Sequence, residues 1–420
     1  MSQVRSEERA SAPGNPYLEI LRINGALAFS AAGFVGRICM AMYGLGTVLL
    51  ISAATGRYGL AGLVAGAGAV GYAITAPLAA RLADRFGQHR VLRPLAASFA
   101  ISTAAFAACA QLRAPAWALL LTGVLAGASM PSVGAMVRTR WSALLADPAR
   151  LHTAFSLESV ADEVIFVIGP VLVTLLATQV YPPAGVSTAM VLCVTGSLLL
   201  AAQRRSEPPV RPAPPRPAAW PRGRPTVPGR GLVTLAPVYL FIGSMFAGID
   251  LSTVAFAQQQ GHKPLAGVVL AIYALGSAAG GLWYGTRHWR APLERRFVIT
   301  LGCTAAGVAT FAVQPGLASL AAVIFCCGVV ISPTLIAGYG LVERQAVAGR
   351  RTEGMTWLSS SISVGAAAGA AVTGHIVDAA GPHWGYAFAA GSGAAATLTC
   401  LLGFGRLRAG AAAPPALSAQ

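Results

Sequence analysis

TGRYGLAGLVAGAGAVGYA, residues 55–73, returns 205 positions later as QGHKPLAGVVLAIYALGSA, residues 260–278. The shared positions include Gly56 and Gly261, the triplets Leu60-Ala61-Gly62 and Leu265-Ala266-Gly267, and Gly71 and Gly276. After a short polar turn each copy becomes a glycine-rich apolar run. A helix crosses roughly 30 Å of hydrocarbon in about 20 apolar residues, and glycine lets such helices pack closely in lipid. The duplication predicts two related sets of membrane helices, a plan that secondary transporters use with the substrate near the midplane between the halves.

Working outward, apolar runs of spanning length recur twelve times, the first near 25–52, the second near 60–80 and the fifth near 156–178. The composition requires such a class. Of 420 residues 55% are hydrophobic and 10% charged, with mean hydropathy +0.64; a soluble protein carries about 25% charged residues, and disorder needs few apolar ones. The seven cysteines lie inside apolar runs without a C-x-x-C pair, which gives no disulfide framework or zinc site and reads as small buried hydrophobes.

The net charge of +16 does not point to nucleic acid, because its arginines sit in alternate loops rather than on one face. With the N-terminus inside, inner segments carry 26 of the 30 basic residues and outer loops only Arg57, Arg113 and Lys263. Basic residues mark the cytoplasmic side, so both termini are expected there, with no cleavable signal peptide. The predicted organisation is a tail at 1–24, six spans over 25–202, a Pro/Arg-rich linker at 203–232, six spans over 233–405 and a tail at 406–420. Proline and seven arginines keep the linker extended and out of the membrane.

ARLADRFGQHR, residues 80–90, resembles the signature loop of the major facilitator superfamily through Asp84, Arg85, Gly87 and Arg90. Ala80 replaces that loop's first glycine, which survives in the second half as Gly285. GASMPSVGAMVRTRW, 127–141, resembles the family's bent fourth helix, with Pro131 at the bend and Arg138 and Arg140 at its end. Gly169-Pro170 resembles the core of the antiporter motif in the fifth helix, although Ile165, Val173 and Thr174 stand where further glycines are wanted. Residues 353–378 resemble the eleventh span. The resemblance implies an all-α fold of twelve helices in two pseudo-symmetric bundles. It also implies a plasma-membrane secondary transporter, monomeric and of the bacterial drug- or metabolite-exporting kind, for a small-molecule substrate, with coupling to protons. On that reading Asp84 and its arginines, with Arg138 and Arg140, lock the cytoplasmic helix ends.

The charges inside apolar runs are the candidate site. Glu158, Asp162 and Glu163 fall in the first turns of the expected fifth span, where acids are costly unless paired. They read either as proton carriers or as a gate cluster paired with Arg138, Arg140 or Arg85. Arg37, halfway along the first span, and Asp250, in the seventh, are the two deepest charges; they are expected to line one cavity, as a pair or with Arg37 holding an anion. Gly66, Gly68 and Gly71 match G-x-G-x-x-G but lie in mid-span with no strand before them, so helix packing is expected rather than a dinucleotide, as it is for Gly365 and Gly369. No phosphate-binding motif, cofactor signature or metal motif occurs. An uptake carrier of the same family, a multi-span enzyme using the three acids and a transport-dead sensor are the competing readings; the enzyme lacks a nucleophile and leaves the repeat unexplained.

Overall fold

The computed structural model describes residues 15–56, 58–210, 231–262, 265–287, 289–346 and 350–409. Arg57, Lys263, most of the 203–232 linker and the outer parts of both tails lie outside the described residues, and so do the readings placed on them.

Among the described residues, twelve helices are long and apolar enough to cross a membrane. Spans 1–6 are Ala26–Thr55, Leu60–Phe86, Gln88–Gln111, Ala116–Leu144, Pro148–Val180 and Ala184–Ala202. Spans 7–12 are Leu232–Gln259, Leu265–Gly285, Leu293–Val313, Leu317–Gln345, Arg351–Ala380 and Pro382–Leu402. Large apolar side chains such as Ile101, Leu121 and Leu398 stand exposed on the outside, where lipid rather than water is the solvent. Cys303 and Cys326 are also exposed, against the expectation that all seven cysteines are buried.

The packing repeats. Span 1 lies on spans 5 and 6 as span 7 lies on spans 11 and 12; span 2 lies on span 4 as span 8 lies on span 10. Between halves, span 2 meets span 11 and span 5 meets span 8. Close approach is made possible by glycine. A Cβ on Gly127 of span 4 would collide with the carbonyl oxygen of Gly68, and one on Gly365 of span 11 with that of Leu240. Gly71 faces Val124 in the same way, whereas Gly66 meets nothing.

Three boundaries differ from the sequence reading. Residues 81–93 are almost all helix: span 2 runs to Phe86, span 3 starts at Gln88, and Gly87 alone makes the break, at φ 94°. That left-handed backbone favours glycine because it has no Cβ. Span 5 begins at Pro148, not near 156, behind the N-cap Asp147, whose side chain accepts from the Ala149 N–H. In the expected polar tail, Pro16–Leu21 is a short helix that packs on span 5. Span 4 does break at its proline: helix Ala116–Ser129 ends before Pro131 and resumes at Val133–Leu144.

Candidate functional site

The earlier start of span 5 sets the site. At 3.6 residues per turn it carries Glu158, Asp162 and Glu163 about three to four turns into the helix, level with Arg37 of span 1. Arg37 is buried at 3% exposure. Its Nη2 pairs with Glu158 Oε2, its Nη1 with Asp162 Oδ1 at 2.7 Å, and its Nε donates to the Gly33 carbonyl at 3.2 Å. Glu158, fully buried, also accepts from Trp141 Nε1 at 2.7 Å and Ser30 Oγ at 2.8 Å. Asp162 uses its second oxygen to accept from Arg138 Nη2 at 2.5 Å. Arg138 in turn lies over the ring of Tyr339, in span 10 of the other half, at 4.1 Å.

Two arginines and two carboxylates thus neutralise one another. Breaking such a set leaves a charge buried without its partner, at a cost of about 3–5 kcal/mol. Arg37, Asp162, Arg138, Tyr72, Tyr339 and Ser359 line a small recess of about 50 Å³. Walls from both halves meet there.

The expected pair of Arg37 with Asp250 does not form, because the guanidinium is already engaged by two carboxylates of its own half. Asp250 is exposed and is not among the residues that line the recess holding Arg37, so the two do not share that cavity as expected. Asp250 has no ion pair among the described residues and lies within electrostatic reach of Glu163. Glu163 crosses to the second half: it accepts from Ser277 Oγ of span 8 at 2.6 Å, and Ser277 contacts Ser332 Oγ of span 10 at 2.9 Å.

From this level to the arginine-rich end the halves are joined. Asp84 accepts from the backbone N–H groups of Thr352 at 3.2 Å and Glu353 at 3.0 Å, the first turn of span 11. A carboxylate there satisfies orphan helix donors and meets the positive end of the helix dipole. Thr352 donates to Thr139 Oγ1 at 3.1 Å, and Arg351 to the Ser142 carbonyl at 3.3 Å. Across the second interface the last carbonyls of span 8 accept: Leu282 from Tyr17 Oη at 2.7 Å, and Gly285 from Thr153 Oγ1 at 3.0 Å. The ring of His152 reaches the Tyr284 carbonyl at 2.9 Å. Burial pushes the Tyr17 phenol up to about 12, so it remains a donor at neutral pH. Among the described residues no hydrogen bond joins the halves beyond Glu163 toward the opposite end. The molecule is shut at the arginine-rich end.

The Major Facilitator Superfamily profile matches residues 29–317 and 240–419. The chain belongs to the Major Facilitator Superfamily. No curated protein matches its sequence, but solved structures of superfamily transporters superpose along nearly its whole length. The human organic anion transporter MFSD10 aligns at 15% identity and TM-score 0.67, covering 93% of this chain and 99% of its own. A bacterial homologue of the iron transporter ferroportin, outward-facing, gives 15% and 0.67 over 91% and 99%. The superfamily transporter FucP, in the outward conformation, gives 14% and 0.65 over 92% and 99%. At such identities the likeness is one of fold: twelve helices of a membrane transporter.

Within this superfamily member the signature residues divide their work differently from the reading above. Of the four signature-loop residues, Asp84 is the one that bonds to the other half among the described residues. Arg85 lies over the Phe86 ring at 5.1 Å, and Arg90 is exposed without an ion pair among the described residues. Arg140, fully buried, pairs with no acid: its guanidinium donates to Gln88 Oε1, to the Leu200 and Gln203 carbonyls and to Ser206 Oγ, fastening the end of span 6 to span 3. Gly169 lets Ala41 of span 1 approach span 5 at the Pro170 position. Ser30, Tyr339 and Tyr17 have no charge and no motif to mark them, and Trp141 and Ser277 lie in quoted stretches that do not single them out; only the fold brings the five to the site. Glu207 carried a signal, as the lone acid in the linker; it holds His89 Nδ1 at 2.8 Å. Among the described residues no three His, Cys, Asp or Glu side chains converge to hold a metal.

Proposed function

We propose that this protein is a secondary active transporter that exports small organic molecules by alternating access, and that the conformation described is its outward-facing one. The observation that carries the reading is the shut arginine-rich end. Asp84 and span 11 bridge the halves there, while the described residues give no bridge toward the other end. With the arginines facing the cytoplasm and both termini inside a plasma membrane, as the positive-inside rule favours, the closed end is the cytoplasmic gate. Rocking of one bundle against the other about the midplane would expose the cleft to the opposite side. One chain contains both bundles, so a monomer suffices.

The division of charges favours Glu163 as the proton carrier over its neighbours. Glu158 and Asp162 are held by arginines, which need them as anions, whereas Glu163 is held by a serine and shares the cleft with Asp250. Losing or gaining a proton at Glu163 changes the charge of the cleft without breaking an ion pair. Export rather than uptake is supported by Gly169-Pro170, the surviving core of the antiporter motif. Counterflow in proteoliposomes tests the class: exchange of labelled for unlabelled substrate without a gradient supports a carrier, and its absence across a broad substrate panel overturns one. Exchange retained in Glu163→Gln, with substrate-driven proton movement lost, supports the coupling role; proton movement left unchanged overturns it.

A further inference from the structure

Below the gate contacts the closed end holds a second cavity, of about 800 Å³, whose walls come from both halves. Pockets that bury small organic ligands measure roughly 300–1,000 Å³. Most of its charges are already matched. Asp84 caps span 11, Glu343 pairs with Arg351 at 3.0 Å, and Arg344 pairs with Glu294 at 2.7 Å. Arg296 is the exception. Its Nη1 donates only to the neutral Tyr284 hydroxyl, at 2.9 Å, and no carboxylate among the described residues lies within 4 Å. Its Nε is buried with no hydrogen-bond partner. The guanidinium stands 5.5 Å and 5.8 Å from the rings of Tyr284 and Trp289. The same cavity has apolar lining as well: Leu151 and Phe155 from span 5, Leu293 and Ile336 from spans 9 and 10.

We propose that this cavity binds an amphipathic organic anion, its acidic group on Arg296 and its apolar body against Phe155, Leu293 and Ile336. A buried donor without a partner is costly to leave unmade, and a charge-assisted bond to an anion would satisfy it. Because the walls belong to different bundles, the site is whole only while this end is shut. A ligand that binds one conformation shifts the population by 1 + [L]/Kd, about a hundredfold at 100 Kd. Occupancy therefore holds the transporter closed at the arginine-rich end. The binding itself does not rest on the transport reading; the shift in population does.

The probe is 4-phenylbutyrate, titrated against the full chain in phosphatidylcholine nanodiscs, with neutral 4-phenylbutanamide as comparator. Binding is followed by equilibrium dialysis, and gate closure by distances between spin labels on the two halves at this end. Saturable binding of the anion, at least tenfold tighter than the amide, is expected. Arg296→Gln should weaken it at least tenfold, Arg296→Lys should restore part of it, and Arg295→Gln, at an exposed neighbour, should change nothing. Saturation should raise the ratio of short to long distances at least fivefold. Phosphatidylglycerol nanodiscs distinguish the source: if they close the gate and displace the probe through Arg296, a lipid headgroup is the natural occupant, and if they do neither, a soluble anion is. Equal binding of anion and amide by the wild-type chain overturns the site even if Arg296→Gln fails to fold. Tight binding with unchanged distances overturns the holding role. A single distance under every condition, with and without probe, contradicts alternating access itself while leaving the binding result intact.

Discussion

The two halves share a repeat but close the gate with opposite ends of a helix. In the first half, the junction of spans 2 and 3 supplies a carboxylate, Asp84, to the N–H groups that open span 11. In the second, span 8 supplies carbonyls from its last turn to neutral donors, Tyr17 and Thr153. The 205-residue offset that pairs Ala80 with Gly285 pairs Asp84 with Trp289, so the second half has no acid to offer. The charges within the spans differ in the same sense. The first half holds a neutralised set of four charges and Glu163, whereas Asp250 of the second has no ion pair among the described residues. Pseudo-symmetry in this molecule is a symmetry of helices, and the charges are placed on it unequally.

The largest effect that would sharpen this contrast is on stability. Glu158→Ala removes a partner from Arg37 and leaves Trp141 Nε1 without its acceptor; we expect a loss of about 3–5 kcal/mol, measured as the drop in unfolding midpoint in detergent. A midpoint like that of the wild type would mean that the first half does not depend on its buried charges. Next is the gate. Asp84→Ala removes two charge-assisted bonds, each contributing about 1.5–3 kcal/mol, so the population shut at this end should fall at least tenfold by spin-label distances. Thr153→Val removes one neutral bond of about 0.5–1.5 kcal/mol and should shift the same distances less. Equal shifts from the two variants would erase the proposed difference between the interfaces. The smallest stability effect is expected at Asp250→Asn, which breaks no ion pair: the midpoint should hold within about 0.5 kcal/mol. A loss as large as that of Glu158→Ala would reveal a partner for Asp250 and break the comparison.

The twelve helices were legible because apolar length and repetition are local properties of the chain. Asp84, which bonds across the halves, was singled out for the same reason, through an eleven-residue motif. The partner of Arg37 was not legible, since it depends on how far span 5 extends. Reading the acids as lying in the first turns followed from polarity, but Asp147-Pro148 is an N-cap followed by proline at the first helical position. Taken as the start, it would have moved Glu158 and Asp162 to the depth of Arg37. Charge at 81–93 likewise suggested a loop where one glycine makes the turn, because helices that reach the headgroup region continue through charged residues.

The pairing of Arg37 with Glu158 also bears on how the protein is made. The two residues are separated by 121 positions, so span 1 leaves the ribosome long before its counter-charge exists. A central arginine costs about 2.5–3.5 kcal/mol on insertion scales, and span 1, with mean hydropathy 1.8 in its best window, must be apolar enough to enter the bilayer against that cost. Until span 5 is synthesised the guanidinium can only reach toward water or wait at the insertion machinery. Biogenesis of the first bundle therefore has a built-in order, in which the earliest helix cannot complete its buried ion pairs until the fifth has been made.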